Sequence, residues 1–165
     1  MKLKSVTIEN FRAIEHIHLP LHQQLTVLVG ENGTGKTSIL DAISLVLGAI
    51  PHHFQVQKQR FFDDNDIRQY LKPNQSKNHI EYAPYVRIKL ENNAGLTWHY
   101  ESQTACLKDR KSELNLNDLN ELHKHLDKMI SELNDSKIVE LPVLAYYGMN
   151  PVSYTHLTLP TICSV

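Results

Sequence analysis

Gln24-Leu25-Thr26-Val27-Leu28-Val29-Gly30-Glu31-Asn32-Gly33-Thr34-Gly35-Lys36-Thr37-Ser38-Ile39-Leu40-Asp41-Ala42-Ile43 reads as a β-prone run, a glycine loop and the start of a helix. Gly30, Gly35, Lys36 and Thr37 fill the pattern G-x-x-x-x-G-K-S/T of a phosphate-binding loop. Glycines permit positive-φ backbone and let N–H groups turn inward, where a Cβ would obstruct phosphate oxygens. Lys36 supplies a compact positive charge for β- and γ-phosphates. The helix N-terminus adds its N–H groups and dipole, and the Thr37 hydroxyl is suited to Mg²⁺. The expected nucleotide-contacting set is Gly30, Glu31, Asn32, Gly33, Thr34, Gly35, Lys36, Thr37 and Ser38, with a nucleotide and Mg²⁺ as ligands. At ordinary glycine content the pattern arises by accident in roughly one chain of this length in two hundred. Here it also follows an apolar, β-branched run and precedes Ile39, Leu40, Ala42, Ile43, Val46 and Leu47, the strand-to-helix context that such a loop needs.

The 165 residues suffice for one good core, hence one domain or one lobe of a larger one. A net charge of −1 provides no global basic field, so nucleic acid is not announced by charge, although a local patch can hide in a neutral total. Cys106 and Cys163 are far apart and lack C-x-x-C spacing, which suggests neither a zinc site nor a disulfide framework and makes a reduced, cytoplasmic setting the expectation. Met1-Lys2-Leu3-Lys4-Ser5 alternates instead of forming an apolar core, and no run approaches 18 apolar residues, so neither a signal peptide nor a membrane partner is expected.

Ahead of the loop, Leu3, Val6 and Ile8 alternate with polar residues, as do Ile14, Ile17 and Leu19 with His16 and His18, which predicts a hairpin turning at Asn10-Phe11-Arg12-Ala13. The glycine loop then follows a third strand, Leu25 to Val29, whereas in simple nucleotide kinases it follows the first. With I-x-N-F-R in the hairpin, G-x-N-G-x-G-K-T in the loop and -ILDAI after it, residues 1–47 resemble the N-terminus of the ATPase heads of SMC- and RecF-like proteins, including related bacterial AAA-type ATPases. The resemblance implies an α/β fold: the N-terminal lobe of a P-loop NTPase of the ABC/SMC-head kind, with an antiparallel β-layer, incomplete within this chain. It also implies that Arg12 lies near the phosphates, with a solvated turn arginine as the alternative.

Asp63-Asp64-Asn65-Asp66 lacks the sixth-position glycine and distal Glu of a calcium loop, so a solvated acidic turn or a helix cap is expected. Residues 73–76 read as a surface loop. Tyr85 to Leu90 and Leu96 to Tyr100 alternate around Glu91-Asn92-Asn93-Ala94-Gly95, predicting a second hairpin with Trp98 and Tyr100 packed on one face. Asp118 and Glu121 fit a capping box ahead of the periodic Leu119, Leu122, Leu126, Met129, Ile130 and Leu133, an amphipathic helix ending near Asn134. His123 and His125 fall on different faces, and His16 and His18 read as exposed. Val139 to Tyr147 reads as a strand and extends the resemblance to about residue 150.

From Leu141 to Val165 there is no Asp, Glu, Lys or Arg, in a chain where they make up 21%. Independent draws would produce that in roughly 0.3% of cases, given how common charged residues are in proteins. Val152-Ser153-Tyr154-Thr155-His156-Leu157-Thr158-Leu159-Pro160-Thr161 resembles a translated sequencing-library adapter. The expected organisation is thus a head lobe over residues 1–150 and a non-native tail over 151–165, with a native apolar strand and loop as the alternative for the tail. No apolar run ends in Asp-Glu, and no two of the six glycines are adjacent, so the base strand and signature loop of such a head are not visible and the catalytic residues stay unassigned. The resemblance implies an ATPase that hydrolyses ATP when complete, dimerises head to head, and serves DNA repair, DNA maintenance or defence; the fragment alone is expected to be inactive. The alternative is a non-hydrolysing, nucleotide-controlled module acting on DNA or a protein partner.

Overall fold

The computed structural model describes residues 1–58, 60–72, 79–104, 116–135, 138–139 and 141–147. The expected surface loop at residues 73–76 and the tail at 151–165 lie outside them. Alternation in the first hairpin produces strand β1 (Leu3–Phe11) and β2 (Ile14–Pro20), antiparallel, with Val6 opposite Leu19 and Ile8 opposite Ile17. The second hairpin forms too, as β5 (Tyr85–Asn92) and β6 (Thr97–Gln103), and β5 pairs with β1 to close a four-stranded antiparallel sheet of order β2-β1-β5-β6. Its turn is held by Asn92, whose Oδ1 accepts the N–H groups of Ala94 and Leu96, and by Gly95 at φ 82°.

The register sorts the residues onto two faces. Rows Leu19–Val6–Leu90–Trp98 and Ile17–Ile8–Ile88–Tyr100 run across one face, where Val6, Ile8, Ile88, Leu90, Trp98 and Tyr100 are fully buried. Rows His18–Thr7–Lys89–His99 and His16–Glu9–Arg87–Glu101 run across the other, where Arg87 lies 2.6 Å from Glu101 and 3.6 Å from Glu9. Trp98 and Tyr100 therefore serve packing, as their alternation predicts.

Helix α1 (Lys36–Leu47) buries Ile39, Ala42, Leu45 and Val46 against β1 and β5, and the short α2 (Ala49–His53) follows it. Helix α3 (Leu116–Asn134) packs on β6 and α2 through Leu119, Leu122 and Leu126. It begins two residues before Asp118, which falls in the first turn instead of at the cap. Both positions favour a carboxylate, so the pattern alone does not separate them. A small hairpin, β3 (Gln69–Lys72) with β4 (His79–Tyr82), was not anticipated.

Among the described residues, two predicted strands do not form. Leu25 to Val29 joins no ladder, and Leu25, Val27 and Val29 are 72%, 67% and 89% exposed, while Leu28 rests on the core. Residues 141–147 likewise join none, with Val143 and Tyr147 exposed, Pro142 buried and Leu144 against the core. β-propensity describes fit to a pleated, half-buried surface, and among the described residues no neighbouring strand supplies that surface.

The α2–α3 contact brings two histidines and a carboxylate together. The His53 ring stacks on His123 with centroids 4.7 Å apart, and His53 Nε2 lies 2.9 Å from Asp127 Oδ1. Burial first, then the neighbouring His53 and His52, lower the His123 pKa against an opposing pull from Asp127. The folded chain thus binds that proton less readily than the unfolded one, so stability is full above the ordinary imidazole pKa and declines as pH falls through and below it. The melting temperature is predicted to drop between pH 7.5 and 5.5, and His123→Gln to flatten that dependence; an unchanged profile in the variant would remove His123 as its source.

Candidate nucleotide-phosphate site

Residues 30–38 form a surface loop that enters α1. Thr34 closes it by donating its N–H (3.4 Å) and hydroxyl (2.9 Å) to the Glu31 carbonyl. Gly33 and Gly35 have φ of 85° and 90°, a region that side-chain-bearing residues avoid. Gly35 is the N-cap of α1, and its carbonyl accepts the Ile39 N–H at 3.0 Å. No side chain caps this N-terminus and no acidic residue lies in its first turn, so the positive end of the helix faces the loop without a competing carboxylate there. The Lys36 side chain runs back over the loop, as helix geometry directs. Its ammonium donates to the carbonyls of Gly30 (2.7 Å) and Glu31 (2.5 Å) and approaches the Thr34 hydroxyl at 3.4 Å. Donors, positive charge and a Cβ-free backbone thus converge on one stretch, the chemistry a polyphosphate requires, and the Thr37 hydroxyl follows directly on the helix. Among the described residues no three His, Cys, Asp or Glu side chains converge so as to hold a metal ion.

Arg12 sits at the tip of the first hairpin, which abuts the loop: a Cβ on Gly35 would meet Ile14 Cγ1 at 3.8 Å. It is not a solvated turn residue. Its backbone, at φ 52°, donates N–H to the Asp66 carbonyl at 2.8 Å. Its guanidinium reaches Asp66 Oδ1 through Nε (3.1 Å) and Asp41 Oδ2 through Nη1 (2.6 Å). Burial opposes the Arg12 charge, but the Asp41 hydrogen bond and the two carboxylate charges outweigh it and raise the pKa further. Asp41 and Asp66 are the site residues that local pattern missed. Asp41 lies four residues after Thr37, hence on the same face of α1 one turn along, and its other oxygen accepts from the Tyr146 hydroxyl. Asp66 ends a 3₁₀ turn (Asp64–Asp66) capped by Asp63, so the acidic run is the predicted cap, but Asp66 is 1% exposed and also accepts from Arg60 Nη2 at 3.1 Å. No sequence-local signal marks a pairing between residues 12 and 66.

The chain is similar to known proteins. The OLD nuclease of Thermus scotoductus is 56% identical over 48 residues, covering 29% of this chain and 9% of that protein. The DNA replication and repair protein RecF of Acholeplasma laidlawii is 30% identical over 112 residues, covering 68% of this chain and 30% of that protein. The chain thus spans less than a third of these curated relatives. A solved SMC ATPase structure, described for ATP-driven dimerization and DNA-stimulated activation, aligns at 17% identity over 64% of this chain and 65% of that one, with a TM-score of 0.44. A family profile described as an AAA domain matches residues 5–154, nearly the whole length, and the chain belongs to that AAA domain family.

Proposed function

We propose that residues 30–38 bind the phosphates of Mg-ATP, within the N-terminal lobe (residues 1–150) of a RecF- and SMC-like ATPase head. One observation carries this reading: the Lys36 ammonium and an uncapped helix N-terminus meet at a loop whose two positive-φ glycines keep the backbone open. Lys36, now on the Gly30 and Glu31 carbonyls, would exchange these neutral acceptors for β- and γ-phosphate oxygens, stronger partners for an ammonium. Backbone N–H groups of Gly33 and of Gly35 to Ser38 would take the remaining oxygens, and the Thr37 hydroxyl would hold Mg²⁺, which offsets phosphate charge when bound. In the complete protein the head would hydrolyse ATP and pair head to head in the cytoplasm. DNA is the partner class favoured by the similarity to RecF, named for DNA replication and repair.

Titration of the chain with a fluorescent ATP analogue tests the loop. Lys36→Ala removes the one motif side-chain cation and is predicted to weaken binding by about 10- to 100-fold, the range of a charge-assisted hydrogen bond. Unchanged affinity would end the assignment. Thr37→Val should weaken binding more with Mg²⁺ than with EDTA, while Thr37→Ser stays close to the parent; equal losses in both conditions would mean that Thr37 serves the loop and not the metal.

A further inference from the structure

We infer that the Arg12–Asp41 ion pair sets the nucleotide affinity of the loop, with Asp66 as the positioning residue that anchors Arg12 and Asp41 as the acceptor that restrains it. The inference rests on the phosphate reading of residues 30–38 and concerns the regulation of that site. The two ends of the Arg12 guanidinium differ. The Nε end is fixed: Asp66 is almost fully buried, its carboxylate is shared with Arg60 and with the Asp63 N–H (3.3 Å), and its carbonyl holds the Arg12 backbone. The Nη1 end rests on Asp41, whose side chain is 20% exposed and belongs to α1 itself.

Asp41 and Thr37 occupy one helix face at i and i+4, where side chains lie about 6 Å apart. Ile14, two residues beyond Arg12, lies against Gly35, so the hairpin tip abuts the loop, and the guanidinium rests on Asp41, one turn along α1 from Thr37. A rotation about the anchored Nε end exchanges Asp41 for a phosphate oxygen without moving the backbone of the hairpin. Polyphosphate and Asp41 therefore compete for the same N–H donors. The strength of the Asp41 contact sets how much of the Arg12 charge reaches the nucleotide.

The experiment is a double-mutant cycle on the full chain, read as Mg-ATP affinity by fluorescence titration, with melting curves to establish that each variant folds. Asp41→Asn is expected to tighten binding by about 3- to 10-fold, and Asp41→Glu, which keeps the charge, to leave it within about 2-fold, magnitudes typical of one partly exposed charge contact. In an Arg12→Ala background Asp41→Asn is expected to change affinity by less than about 2-fold, since the acceptor then has nothing to restrain. Tightening of the same size in both backgrounds would overturn the inference and reduce Asp41 to a simple repulsive charge; so would equal tightening by Glu and Asn. Lys36→Ala is the separate control: binding that survives it contradicts the loop assignment itself, whereas binding lost in Lys36→Ala together with a null cycle contradicts only the Arg12–Asp41 inference.

Discussion

The register of β1 is the constraint on which the rest depends. Because β1 pairs with β2 on one side and β5 on the other, Val6 and Ile8 align with Leu19, Leu90 and Trp98 and with Ile17, Ile88 and Tyr100 on a single face. A slip of one residue would send Thr7 and Glu9 into the core and Val6 and Ile8 into water. That face is the surface on which α1 lies, and α1 carries the glycine loop at its N-terminus. The placement of the glycine loop is therefore a consequence of side-chain alternation in a strand that contributes no residue to the motif.

A second tie joins hairpin and helix from the polar side. Arg12 connects the β1–β2 turn to α1 through Asp41 and to the 3₁₀ turn through Asp66, and Asp66 also takes Arg60. A buried carboxylate without partners would be costly, so two arginines and a backbone N–H make the position tenable. The same network leaves one half-buried pair, Arg12–Asp41, on the helix that the loop enters.

Most local features were legible in the sequence: the β1–β2 and β5–β6 hairpins, α1, α3 and the glycine loop follow from periodicity, turn residues and motif spacing, whereas the small β3–β4 hairpin does not. Non-local features were not. Leu25 to Val29 has the composition of a strand, yet a ladder needs a neighbour, and among the described residues none pairs with it. The acidic run 63–66 contains the predicted cap, but nothing in it distinguishes the capping Asp63 from Asp66, whose buried carboxylate pairs with Arg12, 54 residues away. Likewise Asp41 reads as an ordinary polar position of an amphipathic helix until the hairpin is folded against it.

The central claim is that the backbone of residues 30–38, with Lys36, holds the phosphates of ATP. Amide hydrogen exchange with and without Mg-ATP measures this directly, because bound phosphate oxygens occupy the N–H groups that would otherwise exchange. The account predicts slowed exchange in peptides spanning Gly30 to Ser38 and the first turn of α1, absent in Lys36→Ala. Exchange that is unaltered there, or slowed equally in Lys36→Ala, would contradict it.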